Sequence, residues 1–144
     1  MKARRVPNRK SRPGLRRDRH TVSMLTDHLI FCTKYRAPVL TPEIAYRCEQ
    51  VIRQAAKDIN VEIKEIAVNP EHVHIFLVYP PKYSPSYVAM RLKWISSYLL
   101  RQEFPELNEF CPKGLWAKSC FHSSVGQGFD VVERYIKNQD QHHR

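Results

Sequence analysis

Hydrophobic residues recur along this chain with two different periods, and their order outlines a fold. Residues 28–35, HLIFCTKY, form a mostly apolar run of β-prone residues. Thr41 and Pro42 then stand where a helix N-cap and first turn favour them. Ile44, Cys48, Val51, Ile52, Ala55 and Ile59 follow at steps of three and four, one face of that helix. Strand-like composition returns at 61–68, VEIKEIAV, and Asn69 and Pro70 supply a turn. The strongest strand signal is HVHIFLVY at 72–79.

Pro80, Pro81 and Pro85 break the chain before a second long helix, whose buried face is predicted at Val88, Leu92, Ile95 and Leu99. Pro105 ends it, and LWAKSCFH at 115–122 has the composition of a fourth strand. Gly126 and Gly128 form a flexible joint ahead of a final helix, with Asp130 as N-cap and Glu133 as its capping-box partner. The order β-α-β-β-α-β predicts an α+β fold, a ferredoxin-like sandwich of an antiparallel sheet with two helices on one face. Its first and third strands are central neighbours. The C-terminal helix has no place in that sandwich and must pack on the free face or on another subunit.

The 144 residues carry a formal net charge of +10, unevenly distributed. Nine Lys or Arg and one Asp fall in the first 20 residues, with Pro7, Pro13 and Gly14 and almost nothing apolar. A segment of that composition cannot bury enough surface to fold alone. Residues 1–25 are therefore expected to be a basic, disordered arm, and 26–144 one folded domain. The arm suits attraction to phosphate backbones, although a solubilising tail has the same composition. Neither a membrane-spanning run nor a signal-peptide pattern is present, so a cytoplasmic protein is expected. Cys32, Cys48, Cys111 and Cys120 contain no C-x-x-C pair, which fits a reducing compartment and argues against structural zinc.

His72 and His74 are the first candidates for chemistry. Alternate strand residues share a face at roughly 6.5–7 Å along the strand, so Val73, Ile75 and Leu77 point to the helices and both imidazoles point away. There they have room to converge on one ion, although an isolated H-x-H also arises by chance. Tyr135 and Gln139, spaced i and i+4, share one face of the last helix. Alone, they fit a core aromatic and a solvated surface residue equally well.

Taken together, an H-hydrophobe-H strand in a ferredoxin-like order and Y-x-x-x-Q on a terminal helix behind glycines form a constellation. On these features the chain resembles the single-tyrosine HUH (TnpA-type) transposases of the smallest bacterial and archaeal insertion sequences. The resemblance runs from Thr26 to Gln139. It rests on HLIFCTKYRAPVL (28–40), PEHVHIFLVYPP (70–81), RLKWISSYLLRQEFPEL (91–107), LWAKSCFHSSVG (115–126) and ERYIKNQ (133–139).

The resemblance implies that His72, His74 and Gln139 are metal ligands and that Tyr135 is the nucleophile. It implies Mg²⁺ or Mn²⁺; ligand softness alone would also permit zinc or nickel. The implied reaction is cleavage and rejoining of single-stranded DNA at hairpin-marked ends through a 5′-phosphotyrosine. The implied partners are hairpin-bearing single-stranded DNA and a second copy of the chain, with the active site shared between subunits.

Lys34, Arg36, Arg91, Lys93 and Arg101 are candidates for the DNA backbone, against the alternative of a solvated charged face. Trp94, Tyr98 and Trp116 suit base stacking, the core or a dimer interface. His28, on the neighbouring central strand, suits a structural role or an approach to the metal site. A non-catalytic RNA- or single-stranded-DNA-binding module would use the same fold and arm, but leaves His72, His74 and Tyr135 unexplained. A family member retired from transposition and retained for hairpin binding is a third reading.

Overall fold

The computed structural model describes residues 24–124. Their order is β1 (Leu25–Cys32), a single 3₁₀ turn (Lys34–Arg36), α1 (Pro42–Asp58), β2 (Glu62–Val68), β3 (His72–Tyr79), α2 (Pro85–Glu103), α3 (Pro105–Phe110) and β4 (Phe121–Ser124). The sheet is antiparallel in the order β2-β3-β1-β4, so β1 and β3 are the central pair. This is the predicted α+β sandwich. The predicted terminal helix, with Gly126, Gly128, Asp130, Tyr135 and Gln139, lies outside the described residues, as does the arm up to residue 23. Among the described residues, no helix is long and apolar enough to cross a membrane.

α1 buries the stripe expected of it, Ile44, Cys48, Val51, Ile52 and Ala55, with Ile59 at its end. Thr41 is the N-cap, but its side chain makes no capping hydrogen bond; Pro42 needs none at its own nitrogen. The helix closes with Asn60 at φ 61°, where Asn60 N donates to Lys57 O and Val61 N to Ala56 O. That pair of bonds is a Schellman cap, which satisfies carbonyls the helix cannot. Leu29 and Phe31 from β1 and Val73, Ile75, Leu77 and Tyr79 from β3 meet the helices in one core. Each fully buried aliphatic there contributes about 1.5–3 kcal/mol.

Four sequence expectations shift. β1 runs from Leu25 to Cys32 rather than over 28–35, because Tyr35 and Arg36 take positive φ values of 62° and 52° that no strand accommodates. The buried face of α2 runs through Val88, Ala89, Leu92, Ser96, Ser97 and Leu100, with Ile95 packed at its margin and Leu99 only partly buried. The reason lies in the 115–120 segment. Only Phe121–Ser124 pairs as β4. Residues 115–117 make only an isolated antiparallel bridge, Trp116 to Thr33, and also bond to α2, where Ser97 Oγ accepts from Leu115 N at 2.9 Å and Ser96 Oγ from Trp116 Nε1 at 2.9 Å. Pro105, expected only to end α2, also begins the short α3.

Candidate functional site

The site begins at the β2–β3 turn. Asn69 N donates to His72 O at 2.8 Å, closing the turn around Pro70. The Glu71 carbonyl accepts from Thr33 N at 2.9 Å and from Thr33 Oγ1 at 3.3 Å, which ties the turn to the end of β1. Register then sets the neighbours: Cys32 stands opposite His72, Ile30 opposite His74 and His28 opposite Phe76. Val73, Ile75 and Leu77 belong to the core beneath the helices. His72 and His74 therefore share the other face with His28, as strand alternation requires.

His72 is 8% exposed, and both of its ring nitrogens are engaged. Nδ1 lies 3.3 Å from Glu71 Oε1, and Nε2 lies 3.1 Å from Asn69 Nδ2. An ionised carboxylate only accepts and an amide nitrogen only donates. In the neutral imidazole the proton thus sits on Nδ1, and Nε2 carries the lone pair. The Nδ1 contact is held from behind: Arg36, with its side chain 6% exposed, places Nη2 3.6 Å from Glu71 Oε2.

His74 is half-buried, with Nε2 3.3 Å from His28 Nδ1, and the His28 ring stacks on Phe76 at 4.8 Å. Burial holds the pKa of His74 below the ordinary histidine value; His28 and His72 push the same way, and Glu65 opposes them. Its neutral form is favoured, which keeps a lone pair available. A shallow cavity bordered by Glu65, Ala67 and Phe76 opens beside it.

The donor set fits part of a divalent-metal site: two imidazoles on one face of one strand. Among the described residues no group of three or more His, Cys, Asp or Glu is arranged to hold a metal ion. Gln139 and Tyr135, the expected ligand and nucleophile, lie outside the described residues.

Lys93 and Arg101 line one cavity together with Gly114, beside which Lys34 Nζ lies; Arg36 and Arg91 are not among its lining residues. Arg36 joins Glu71 and donates to Cys32 Sγ at 3.4 Å. Lys93 Nζ donates to the carbonyls of Ala117, Lys118 and Ser119 at 2.7, 3.2 and 3.3 Å. Arg101 donates to Ser97 Oγ at 3.1 Å and Pro112 O at 2.7 Å. Lys34 and Arg91 are partly exposed, Lys34 on the 3₁₀ turn and Arg91 on α2. Of the aromatic candidates, Trp116 is buried against Phe31, whereas Trp94 and Tyr98 form an exposed parallel stack at 5.7 Å.

Glu71 and Asn69 are neighbours of the site that sequence patterning missed. Alternation places residues 71 and 72 on opposite faces, and only the turn at Pro70 lets Glu71 fold back onto His72.

The family model "Transposase IS200 like" matches residues 21–139. The IS200 transposase of Salmonella typhimurium is 29% identical over 113 residues, covering 78% of this chain and 74% of that protein. The ISDra2 transposase TnpA of Deinococcus radiodurans is 30% identical over 127 residues, covering 87% and 91%. A crystal structure of a candidate transposase from Deinococcus radiodurans superposes with a TM-score of 0.77 at 29% identity, over 87% of this chain and 98% of that one. A REP-associated tyrosine transposase bound to a REP hairpin shares the fold, with a TM-score of 0.53 at 18% identity over 83% and 68%.

Proposed function

The chain belongs to the IS200-like transposase family, and from that premise we propose that it cleaves and rejoins single-stranded DNA at hairpin-marked ends by transesterification. The observation that carries this reading is the pair His72 and His74 on one strand face, opposite the face that packs against the helices. His72, His74 and the side-chain oxygen of Gln139 would hold Mg²⁺ or Mn²⁺. When bound, that ion polarises the scissile phosphate and stabilises the charge that develops in the transition state.

Tyr135 is the nucleophile in this reading. Its phenolic oxygen attacks phosphorus and loses its proton, the P–O3′ bond breaks, and the departing oxygen takes up a proton as a free 3′-OH. The 5′-phosphotyrosine retains a phosphodiester linkage, so a second 3′-OH can reverse the step and join without ATP. An activated water would only cut.

Lys34 and Arg91 are the proposed direct contacts to the DNA backbone. Arg36, Lys93 and Arg101, which also bond within the chain, are proposed as further backbone contacts. The hairpin as ligand is supported by the REP-associated relative of the same fold, whose structure holds a hairpin. A homodimer that shares its active sites is the assembly proposed for a catalytic helix without a slot in its own sandwich.

The test uses single-stranded oligonucleotides from the DNA flanking the gene, incubated with protein and Mg²⁺ or Mn²⁺ and resolved on a denaturing gel. A metal-dependent covalent adduct that disappears in Tyr135→Phe and in chelator is expected. Tight hairpin binding with no adduct, on either strand and with either metal, would instead favour a retired, non-catalytic binding protein.

A further inference from the structure

The contact between Glu71 and His72 does more than close a turn. A metal-ligating histidine needs one nitrogen free of its proton and the ring held in one orientation. A carboxylate on the opposite nitrogen supplies both, and raises the basicity of the ligating atom. Glu71 Oε1 stands 3.3 Å from His72 Nδ1, on the ring atom remote from Nε2.

Glu71 is itself held at both its backbone and its side chain. Its backbone carbonyl accepts from Thr33 N and Thr33 Oγ1. Its second carboxylate oxygen lies 3.6 Å from the Arg36 guanidinium, which is almost wholly buried. Arg36 reaches it from a backbone with φ 52°, next to Tyr35 at φ 62°. Left-handed backbone is unfavourable for residues other than glycine, by roughly 1–2 kcal/mol in the αL region. Two successive residues retain it where the second delivers a cation to the carboxylate behind the histidine, and such outliers concentrate at functional sites.

We propose that Glu71 is a positioning residue: it fixes the Nδ1–H tautomer and the ring orientation of His72, with Arg36 and Thr33 as its supports, so that Nε2 is presented to the metal. Asn69 Nδ2 lies 3.1 Å from Nε2, and a bound ion would take its place on that nitrogen. The inference rests on the assignment of His72 as a metal ligand in the proposed function.

The experiment uses the full chain, with ¹⁵N-labelled histidine and Mn²⁺ alone as the probe. In the metal-free protein, ¹⁵N chemical shifts should report the Nδ1–H tautomer for His72. Glu71→Ala should convert it to a mixture or to Nε2–H, and should weaken Mn²⁺ binding by roughly 10–100-fold. Glu71→Gln, whose amide oxygen still accepts from Nδ1, should keep the tautomer and lose only a few-fold. It also carries the test if the alanine variant folds poorly.

A native tautomer and native Mn²⁺ affinity in Glu71→Ala, with Mn²⁺ binding abolished in His72→Ala, would overturn the positioning role and leave His72 a ligand. An equal loss in the Gln and Ala variants would also overturn orientation as the mechanism. Unchanged Mn²⁺ affinity in His72→Ala would remove the ligand assignment itself, and the inference with it.

Discussion

Trp116 Nε1 donates to Ser96 Oγ at 2.9 Å, and the Ser96 hydroxyl donates in turn to Leu92 O at 2.6 Å. The indole N–H of a buried tryptophan thus finds its acceptor on a serine that is itself fully buried in the face of α2. Ser96→Ala removes that acceptor and leaves the donor dry. A loss of about 1–3 kcal/mol is expected, the cost of an unsatisfied buried polar group. Urea unfolding measures it, and a change in midpoint without a change in slope is the expected form.

Lys93 acts beside that contact as a clamp on the chain that leads into β4, through its bonds to the carbonyls of residues 117–119. Lys93→Met keeps the aliphatic stem and removes the ammonium. Amide exchange over 117–121 should accelerate and stability should fall by about 1.5–3 kcal/mol, the range for charged hydrogen bonds. The salt dependence of DNA binding should change less than in Lys34→Ala. Each phosphate that a lysine neutralises adds to the salt slope, and the Lys93 ammonium is already engaged within the chain.

Tyr79, on the core side of β3, donates its hydroxyl to Asp27 Oδ2 at 3.3 Å. Burial first, then the charge of Asp27 and this hydrogen bond, push the phenol up to about 12. The folded value exceeds the unfolded one of about 10, so the contribution to stability is complete below pH 10. It is lost as the pH rises from there toward 12. Ultraviolet titration should show one tyrosine ionising late. Asp27→Asn should bring it only part of the way back, because burial is the larger cause. A phenol that titrates with the exposed tyrosines would contradict the buried contact.

Cys48 is wholly buried in α1, and burial pushes its thiol up to about 12; Cys120 rises to about 11 for the same reason. The thiolate is the reactive form. Iodoacetamide at pH 8 should therefore spare Cys48 in the native protein, and mass spectrometry should find it modified only after unfolding. Cys120, partly exposed, should react slowly.

The face carrying His72 and His74 was legible in HVHIFLVY, because strand geometry forces alternate side chains apart whatever surrounds them. The α1 stripe was legible for the matching reason at a period of 3.6. Even the central pairing of β1 with β3 followed from element order alone, since few connections of β-α-β-β-α-β satisfy the fold rules. The prominence of Tyr135 and Gln139 came from spacing and resemblance, and both lie beyond the described residues.

Local pattern failed where a residue's partner is distant in the chain or lies across a turn. LWAKSCFH has the composition of a strand. Trp116 nevertheless keeps only an isolated bridge to Thr33, and Ser96 and Ser97, some twenty residues earlier, offer buried hydroxyls to the Trp116 indole and the Leu115 amide. Composition likewise gives no sign that Lys93 and Arg101 hold carbonyls of later segments, those of Ala117 and Pro112. Glu71 precedes His72 in sequence and meets it only because the Asn69–Pro70 turn cancels strand alternation. Periodicity records which way a side chain leaves its own element. Which group satisfies a buried donor depends on chain closure, and only the tertiary structure decides that.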